Sequence, residues 1–448
     1  MKRPFAGVAL GLVLQPLVAL AASEPATHQF TLDNGLKVIV HEDHRAGVVN
    51  SQLWFHVGAS HEPPGQSGMS HALEHMIFQG SSKLCPGESA GIYRKLGASE
   101  NATTLNDATI IYQTLAPQAL GVAFEVMADQ MSTAHLSPSQ WTTEREIIKS
   151  ERSESVDDLP RQRALERARR VAFMASAAGN PVIGWRHDIE RMQIEELQHW
   201  YRRWYAPNNA TLVVVGDIRL EQVKALATRY FGSIEPRELP VAKTPLELAT
   251  PGERSITQYL DHQIPTLSMT FNVPSLITQT DPRTALALTL LSEMLAGSSG
   301  AVINTKLVRG DELLVGASTH YNSISRGDEL FTLTALLNIK KTTSMSEVKQ
   351  RLWRELEALK NAPPSPEDLD RARTRLIAQD VFNRDDLTRY AAYLGKLNNV
   401  GLSWEQDEER QQSLKAITPE DIQRTAQTYF TRDRLTTGYI VAAQANHE

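Results

Sequence analysis

Residues 194–215, IEELQHWYRRWYAPNNATLVVV, carry a pattern that returns at 419–441 as PEDIQRTAQTYFTRDRLTTGYIV. At a constant offset of 225 residues the apolar positions coincide, as in the pairs Leu197 and Ile422, Tyr205 and Phe430, and Val214 and Tyr439. Each copy predicts an amphipathic helix, a polar turn and a strand rich in β-forming residues. A repeat of this size indicates a duplicated domain rather than two unrelated ones.

The two copies are separated by irregular, proline-rich sequence, IEPRELPVAKTPLELATPGERS at 234–255. This segment predicts a linker between two halves of about 210 residues each, which is an ordinary domain size. Runs of strands separated by paired helices favour an α+β fold over a parallel, doubly wound one. We therefore predict two homologous α/β sandwich domains, each a mostly antiparallel sheet packed with helices.

The individual elements follow from periodicity and turn signals. TLDNGLKVIV predicts a hairpin that turns at Asn34 and Gly35, because this dipeptide suits a two-residue hairpin loop. The strand SQLWFHVGA follows, and TLVVVGDI closes the first half. Helices are predicted at 68–79, 87–97, 117–134 and 138–156, and in the second half we predict a strand at 267–273, a helix at 284–295 and a strand at 331–337.

The first 21 residues predict a targeting segment. Lys2 and Arg3 precede an apolar stretch, and the small residues at 19–21 fit a signal-peptide cleavage site before Ala22. The stretch is short for a membrane span, and Pro16 argues further against a stable one. We therefore expect a periplasmic protein without a stable membrane anchor, with full secretion as the alternative.

Charge and cysteine content exclude other classes of protein. The formal net charge is −6, and the sequence contains no long cluster of Lys and Arg, so we expect no nucleic-acid partner. Cys85 is the only cysteine, which rules out an intrachain disulfide. We expect it to be a buried or half-buried small side chain.

Residues 70–80, SHALEHMIFQG, carry the chemistry. On a helix, Met69, Ala72, Leu73, Met76 and Ile77 form one apolar stripe, and His71, Glu74 and His75 lie on the opposite face. His71 and His75 are one turn apart, so both rings can reach a single Zn²⁺. Glu74 projects beside them as a candidate base for a metal-bound water. The alternative is an exposed helix face that happens to carry two histidines.

A third protein ligand is needed, because catalytic zinc sites usually have three. The segment SPSQWTTEREIIKSERSES begins with a capping box at Ser137 and Gln140 and continues as an acidic helix. Glu144 and Glu151 lie two turns apart on one face of that helix, so either could complete a site of two histidines and one glutamate. Composition does not choose between them.

The inverted H-x-x-E-H motif resembles the inverzincin signature. The chain is similar to the peptidase family of pitrilysin, insulin-degrading enzyme and mitochondrial processing peptidase, in its short two-domain bacterial form. The similar stretches run from about Thr31 to Asp217 and are LDNGLKVIV, EPPGQSGMSHALEHMIFQGS, ASENATTLNDATIIY, EREIIKSERSE and RWYAPNNATLVVVGD.

This resemblance implies a zinc metalloendopeptidase that hydrolyses peptides or unfolded segments. Carried over, Glu151 is the third ligand of one Zn²⁺ per chain, Glu144 is a supporting group of the catalytic site, and Glu74 activates the zinc-bound water. SENATT resembles the edge strand on which the family lays a peptide substrate as an added strand, which makes Asn101 and Ala102 candidate substrate-binding residues.

The second half lacks the metal motif, since LAGSSG stands about 225 residues after it. In the family, the inactive half can contribute an Arg and a Tyr that hold the substrate. Arg309 matches the Arg, but Val315 and Gly316 occupy the Tyr positions, so either Tyr321 or a partner chain would replace the Tyr.

The incomplete clamp suggests a heterodimer in which a homologous, metal-free chain supplies the missing group, with a homodimer as the alternative. The alternative function is a non-catalytic scaffold or peptide-binding subunit of the same fold. The resulting division is a signal peptide at 1–21, a catalytic metal-binding domain at 22–235, a linker at 236–255 and an inactive homologous domain at 256–448.

Overall fold

Two mixed β-sheets organise the chain in the computed structural model, which describes residues 26–260, 264–342 and 344–442. The first sheet has the strand order β1-β2-β6-β3-β5-β4, and the second has the order β7-β11-β8-β10-β9. All neighbours are antiparallel except β2 with β6 and β7 with β11. The strands are β1 (Ala26–Thr31), β2 (Lys37–Glu42), β3 (Val49–Phe55), β4 (Ser99–Thr104), β5 (Thr109–Leu115), β6 (Ala210–Gly216), β7 (Arg254–Leu260), β8 (Thr266–Val273), β9 (Leu314–His320), β10 (Glu329–Leu337) and β11 (Leu435–Ala442).

Helices pack against both sheets, and the prediction of a two-domain α+β fold is confirmed. The α-helices are α1 (Met69–Ile77), α2 (Glu88–Lys95), α3 (Leu120–Thr133), α4 (Pro138–Arg152), α5 (Pro160–Ala172), α6 (Arg186–Arg191), α7 (Ile194–Trp204), α8 (Leu220–Phe231), α9 (Thr284–Ser292), α10 (Met345–Asn361), α11 (Pro366–Asp385), α12 (Leu387–Asn399), α13 (Asp407–Ala416) and α14 (Pro419–Tyr429). The helix predicted at 138–156 is α4 followed by a π-helical turn at Ser153–Asp157.

The predicted hairpin turns where expected. β1 pairs with β2 so that Phe30 faces Val38, and Gly35 has a φ of 87°, which a glycine adopts without strain. The Asn34 side chain donates hydrogen bonds to the carbonyl oxygens of Phe231 and Ile234, and these bonds tie the turn to the end of α8. The hairpin is therefore fixed to the first domain by its own turn residues.

The repeat that indicated duplication is real at the level of structure. α7 leads through a short turn into β6, and α14 leads through a short turn into β11. The segment between the halves has no helix or strand from 232 to 253, and β7 begins at Arg254, two residues inside the predicted linker. The predicted domain boundaries themselves stay a prediction.

Each half sends one helix onto the sheet of the other half. α12 lies on β3 and β6 of the first sheet, where Tyr390, Ala391 and Leu394 pack with Trp54 and Val213. In exchange, α5 lies on β7 and β11 of the second sheet. Because each sheet has its own helices on the other face, both faces of both sheets are covered.

Three predictions about termini and surface have separate outcomes. The predicted signal peptide at 1–21 lies outside the described residues. Among the residues that the structure describes, no helix is long and apolar enough to cross a membrane. The expectation that Cys85 is at least half-buried is wrong, because its side chain is exposed on the loop that follows α1.

Candidate metal centre

The N-terminal end of α1 is fixed by two buried carboxyl groups. Glu62 accepts hydrogen bonds from the backbone N–H groups of Gly68 and Ser70, both at 2.7 Å. Asp188 accepts from the backbone N–H of Ser67 at 3.2 Å and from its hydroxyl at 2.5 Å. Acceptors at this position satisfy N–H groups that the helix itself leaves unpaired. Burial raises the pKa of Glu62 to about 8.

Burial of one face fixes the rotation of α1. The five apolar side chains of the predicted stripe are buried in the core of the first domain: Met69, Ala72, Leu73, Met76 and Ile77. This packing turns the opposite face, with His71, Glu74 and His75, towards α4 and β4. The alternative of a freely exposed helix face therefore does not apply, since the His71 ring is almost completely buried.

His71, His75 and Glu151 converge on one point. One ligand atom from each lies within 4.8 Å of the others, and the Nε2 atoms of His71 and His75 are 3.7 and 3.3 Å from the two carboxylate oxygens of Glu151. Two ligands of a tetrahedral Zn²⁺, each at 2.0–2.1 Å from the ion, lie about 3.4 Å apart. The two imidazoles and the carboxylate therefore fit a zinc ion in both spacing and chemistry.

Glu144 holds the ring of His75 from behind. His75 Nδ1 donates to Glu144 Oε2 at 3.1 Å, and the side chain of Gln79 donates to Glu144 Oε1 at 2.8 Å. A proton held on Nδ1 leaves the lone pair of Nε2 directed at the cluster. The structure thus distinguishes the two glutamates that composition left equivalent. Glu151 lies near Nε2 of both rings, and Glu144 contacts Nδ1 of His75.

Glu74 stands beside the cluster without joining it. The hydroxyl of Thr104, at the end of β4, donates a hydrogen bond to its carboxylate. Burial raises the pKa of Glu74, which makes it a stronger base than an exposed glutamate. A basic carboxylate next to three metal-ligand groups is suited to proton transfer.

Electrostatics distinguish the two histidines. Burial lowers the pKa of His71 to about 4, with a further contribution from the nearby His75 ring. Burial also acts to lower the pKa of His75, but its hydrogen bonds to Glu151 and Glu144 outweigh burial and raise the pKa overall. The same hydrogen bond to His75 lowers the pKa of Glu151.

A cavity of about 580 Å³ opens over the cluster. His71, Glu74 and Glu151 form its floor, and Ala102–Thr104 of β4 form one wall. β4 is an edge strand of the first sheet, so no strand in the described part of the chain pairs with the outer side of its backbone. The opposite wall comes from α5 and the loop before α6, through Gln162, Leu165, Glu166, Arg169, Pro181, Val182 and Ile183.

Two protein-family models match the chain. Residues 37–185 match the model described as insulinase (peptidase family M16), and residues 191–376 match the model of the peptidase M16 inactive domain. The chain belongs to peptidase family M16. The resemblance to pitrilysin, insulin-degrading enzyme and mitochondrial processing peptidase that the motifs indicated is therefore confirmed.

Several proteins are similar to this M16 chain over more than nine-tenths of its length. The zinc protease PqqE of Helicobacter pylori is 25% identical over 448 residues, covering 96% of this chain and 98% of that protein. The mitochondrial-processing peptidase subunit beta of Lentinula edodes is 24% identical and covers 91% of this chain and 88% of its own length. The crystal structure of a protease from Helicobacter pylori has the same fold, with a TM-score of 0.86 at 23% identity over 93% of this chain and 99% of that one.

The candidate substrate-binding residues of this M16 chain lie in different places. Ala102 lines the cavity, and Asn101 is exposed on β4, where its side-chain oxygen accepts a hydrogen bond from the Ala102 N–H at 2.9 Å. Arg309 is exposed in the second domain and donates to the Ser299 carbonyl at 2.5 Å and the Thr305 hydroxyl at 2.9 Å. Arg309 is not one of the described residues that line the cavity.

Tyr321 is also held away from the cluster. Its hydroxyl donates to the carbonyl oxygen of Pro274 at 2.6 Å, and it lines a second cavity between the domains. Its place as a substitute for the missing Tyr therefore stays a prediction.

Three positioning residues carry no signal in their own sequence environment. Thr104 and Glu62 act through hydrogen bonds to Glu74 and to α1. Arg152, the residue after Glu151, is buried and pairs with Glu166 at 2.9 Å and Asp157 at 3.2 Å. The H-x-x-E-H spacing of SHALEH is visible in the sequence, but these contacts depend on how the chain folds around α1 and could not be found from spacing alone.

Proposed function

We propose that this chain is a zinc metalloendopeptidase that hydrolyses peptides or unfolded polypeptide segments. His71, His75 and Glu151 are its metal ligands, and Glu74 is its general base. The observation that supports this most strongly is the convergence of two Nε2 atoms and one carboxylate within 4.8 Å, with a second, more basic carboxylate, that of Glu74, left outside the cluster. A zinc ion bound there would polarise the scissile carbonyl and acidify water.

Other steps of the proposed reaction are carried out by side chains of the protein. Glu74 accepts the proton of the attacking water and returns it to the leaving amine. The Thr104 hydroxyl orients the Glu74 carboxylate, and Glu144 keeps the His75 ring in the tautomer and direction that a metal needs. Burial of the floor of the cavity strengthens each of these interactions by limiting contact with water.

The substrate is an extended peptide added to the edge of β4. The free edge offers backbone donors and acceptors along Ser99–Thr104, so recognition depends on the peptide backbone more than on particular side chains. Ala102 lies beside the scissile bond, and Asn101 contacts the peptide one residue further from Glu74. Because Thr104 contacts Glu74, such a peptide passes directly over the proposed base.

The working form is a heterodimer with a homologous, metal-free chain, and a homodimer is the alternative arrangement. Arg309 bonds to its own loop and does not line the cavity described above, so one chain leaves the second-domain clamp incomplete. A relative bears the name of a subunit, which agrees with a multichain form. The predicted targeting segment at 1–21 favours a periplasmic location.

The substitution Glu74→Gln tests the proposal. It removes the base but none of the metal ligands, so we expect hydrolysis of an unfolded, quenched peptide to fall by about 10²–10⁴-fold while zinc content stays near one ion per chain. Glu146→Gln, on the exposed face of α4, serves as the matched control and should hydrolyse like the wild type.

Two results would contradict the proposal. Hydrolysis that survives Glu74→Gln would show that Glu74 is not the base. A wild-type chain that binds zinc and peptide but hydrolyses nothing, even with its co-purified partner, would support the non-catalytic scaffold instead.

A further inference from the structure

A second cavity, of about 470 Å³, lies between the two domains next to the metal centre. Leu105–Ala108, the loop after β4, forms its first-domain side, and His320–Asn322, Glu329 and Lys396 form its second-domain side. Thr104 and Val182 line both cavities, so the two are neighbours. β4 runs towards the second cavity, which means that a peptide extended along this strand beyond Thr104 would enter it.

Lys396 is the cation of this cavity. It lies on α12, the helix that crosses onto the first sheet, and its Nζ donates to Asn322 Oδ1 at 2.7 Å. Among the described residues, no carboxylate lies within 4.0 Å of this Nζ. An ammonium group has three N–H donors, so one amide oxygen leaves it under-satisfied. Burial lowers the pKa of Lys396 overall, although Glu329 and Asp107 act electrostatically in the opposite direction from beyond contact distance.

The acidic groups nearby are already engaged. Asp107 accepts from the Ser60 hydroxyl at 2.6 Å and the Arg326 N–H at 3.0 Å, and it pairs with the Arg326 guanidinium. Glu329 is buried and accepts from the N–H of Leu330 at 3.2 Å. Burial raises the pKa of Glu329.

One further cation, Arg169 of α5, lies near this cavity. It lines the neighbouring cavity over the metal cluster and acts electrostatically on both Glu329 and His320. His320 itself is a neutral imidazole at neutral pH, since burial lowers its pKa. The cavity therefore presents one partly buried ammonium group to a peptide that enters from β4, with the side chains of Asn106 and Asn399 also lining it.

We propose that this interdomain cavity is a subsite for a carboxylate of the bound peptide, held by Lys396 Nζ. The carboxylate comes either from an Asp or Glu side chain near the scissile bond or from the C-terminus of the peptide. This inference rests on the proposed function. The subsite adds a preference for an acidic group to a mode of binding that otherwise recognises only the peptide backbone.

A peptide series tests the subsite. In one quenched peptide, Glu replaces Gln at one position at a time on both sides of the scissile bond, and a second arm compares free with amidated C-termini. We expect the full chain, with any partner that co-purifies, to favour one acidic position or the free C-terminus by about three- to tenfold in kcat/KM. In Lys396→Met this ratio should fall to about one, and in Lys396→Arg it should persist.

The control is Lys224→Met, which removes the same charge from an exposed position of α8 and should keep the wild-type ratio. Binding of the same peptides to the Glu74→Gln variant is measured in parallel, so that recognition is read without hydrolysis. Peptides that bind with a Lys396-dependent preference but are never hydrolysed would contradict the proposed function and leave the subsite supported. Equal ratios in the wild type and Lys396→Met, in both hydrolysis and binding, would overturn the subsite.

Discussion

His71 and His75 can share one cation because residues outside their motif fix the helix and the rings. Glu62 secures the first turn of α1, and Glu144 directs the His75 ring. The spacing within the motif guarantees only that the two rings lie on one face. Orientation comes from these two carboxyl groups, so replacing either should affect metal binding although neither is a proposed ligand.

Replacing Glu144 should weaken metal binding. In Glu144→Ala, His75 Nδ1 loses its acceptor, so the ring is free to rotate or change tautomer, and zinc affinity should fall about 10- to 100-fold. Competition with a chromogenic chelator measures the affinity, and Glu146→Ala is the control. Wild-type affinity in Glu144→Ala would mean that packing alone orients the ring.

Glu62 should make stability depend on pH. Burial raises its pKa in the folded chain to about 8, from an ordinary value of 4.5. The folded chain therefore favours the protonated form, and the stability contributed by this carboxyl is complete below about pH 4.5 and is lost as the pH rises through 8. Glu62→Gln, a neutral isostere, should not titrate.

The measurement is urea denaturation of wild type and Glu62→Gln between pH 5 and 8.5. The free energy of unfolding of the wild type should decrease relative to that of Glu62→Gln as the pH rises. Curves that stay parallel over this range would show that Glu62 does not change its protonation there.

At the residue scale, some site residues were predicted from spacing, and others were predicted only from the family resemblance. His71, Glu74 and His75 follow from a motif within one helix, because local spacing fixes a helix face. Glu144 and Glu151 share one face of α4, so only the family resemblance chose between them. Thr104 and Glu62 were missed, since their contacts depend on where separate elements meet.

At the scale of elements, periodicity predicted α1–α4, α7, α9 and α14, but it predicted neither α5 nor the sheet on which each helix lies. The apolar faces of α5 and α12 show that both helices are packed, and each packs on the sheet of the other domain. A hydrophobic pattern records which face is buried and not what buries it. The exchange of these two helices between the domains could therefore not be predicted from the sequence.

Gly395 shows how closely α12 meets the first sheet. A Cβ atom at this position would lie 2.2 Å from Cε2 of Trp54, an approach that requires the helix or the ring to move. Gly395→Ala should therefore destabilise the protein by about 1–3 kcal/mol, observed as a lower midpoint of thermal unfolding.

Gly91, within α2, provides the matched control because a Cβ there meets no atom within 4 Å. Gly91→Ala should leave stability unchanged or raise it by up to about 1 kcal/mol, since alanine favours the helix. If Gly395→Ala were as stable as Gly91→Ala, the contact between α12 and Trp54 would not be tight in solution.

At the scale of the whole molecule, the exchanged helices and the Asp107–Arg326 contact make the two domains one unit around the metal centre. The division into two homologous halves was predictable from the repeat at 194–215 and 419–441. The cavity between the halves was not, because it depends on how the two domains pack.

The proposed heterodimer leads to a prediction at this scale. The purified single chain should hydrolyse unfolded peptides weakly, and adding the co-purified partner should raise kcat/KM by about tenfold or more, since the partner would complete substrate positioning. Light scattering coupled to gel filtration should show a species of two chains. Full activity from a monomer would contradict the heterodimer.

Zinc stoichiometry tests the central claim most directly. Metal analysis of the purified chain should give about one zinc per chain in the wild type, and a loss of most of that zinc in Glu151→Gln, whose neutral side chain is a poor ligand. Glu154→Gln, an exposed change three residues away, should keep the wild-type content. Zinc retained at one ion per chain in Glu151→Gln would contradict the assignment of His71, His75 and Glu151 as one metal site.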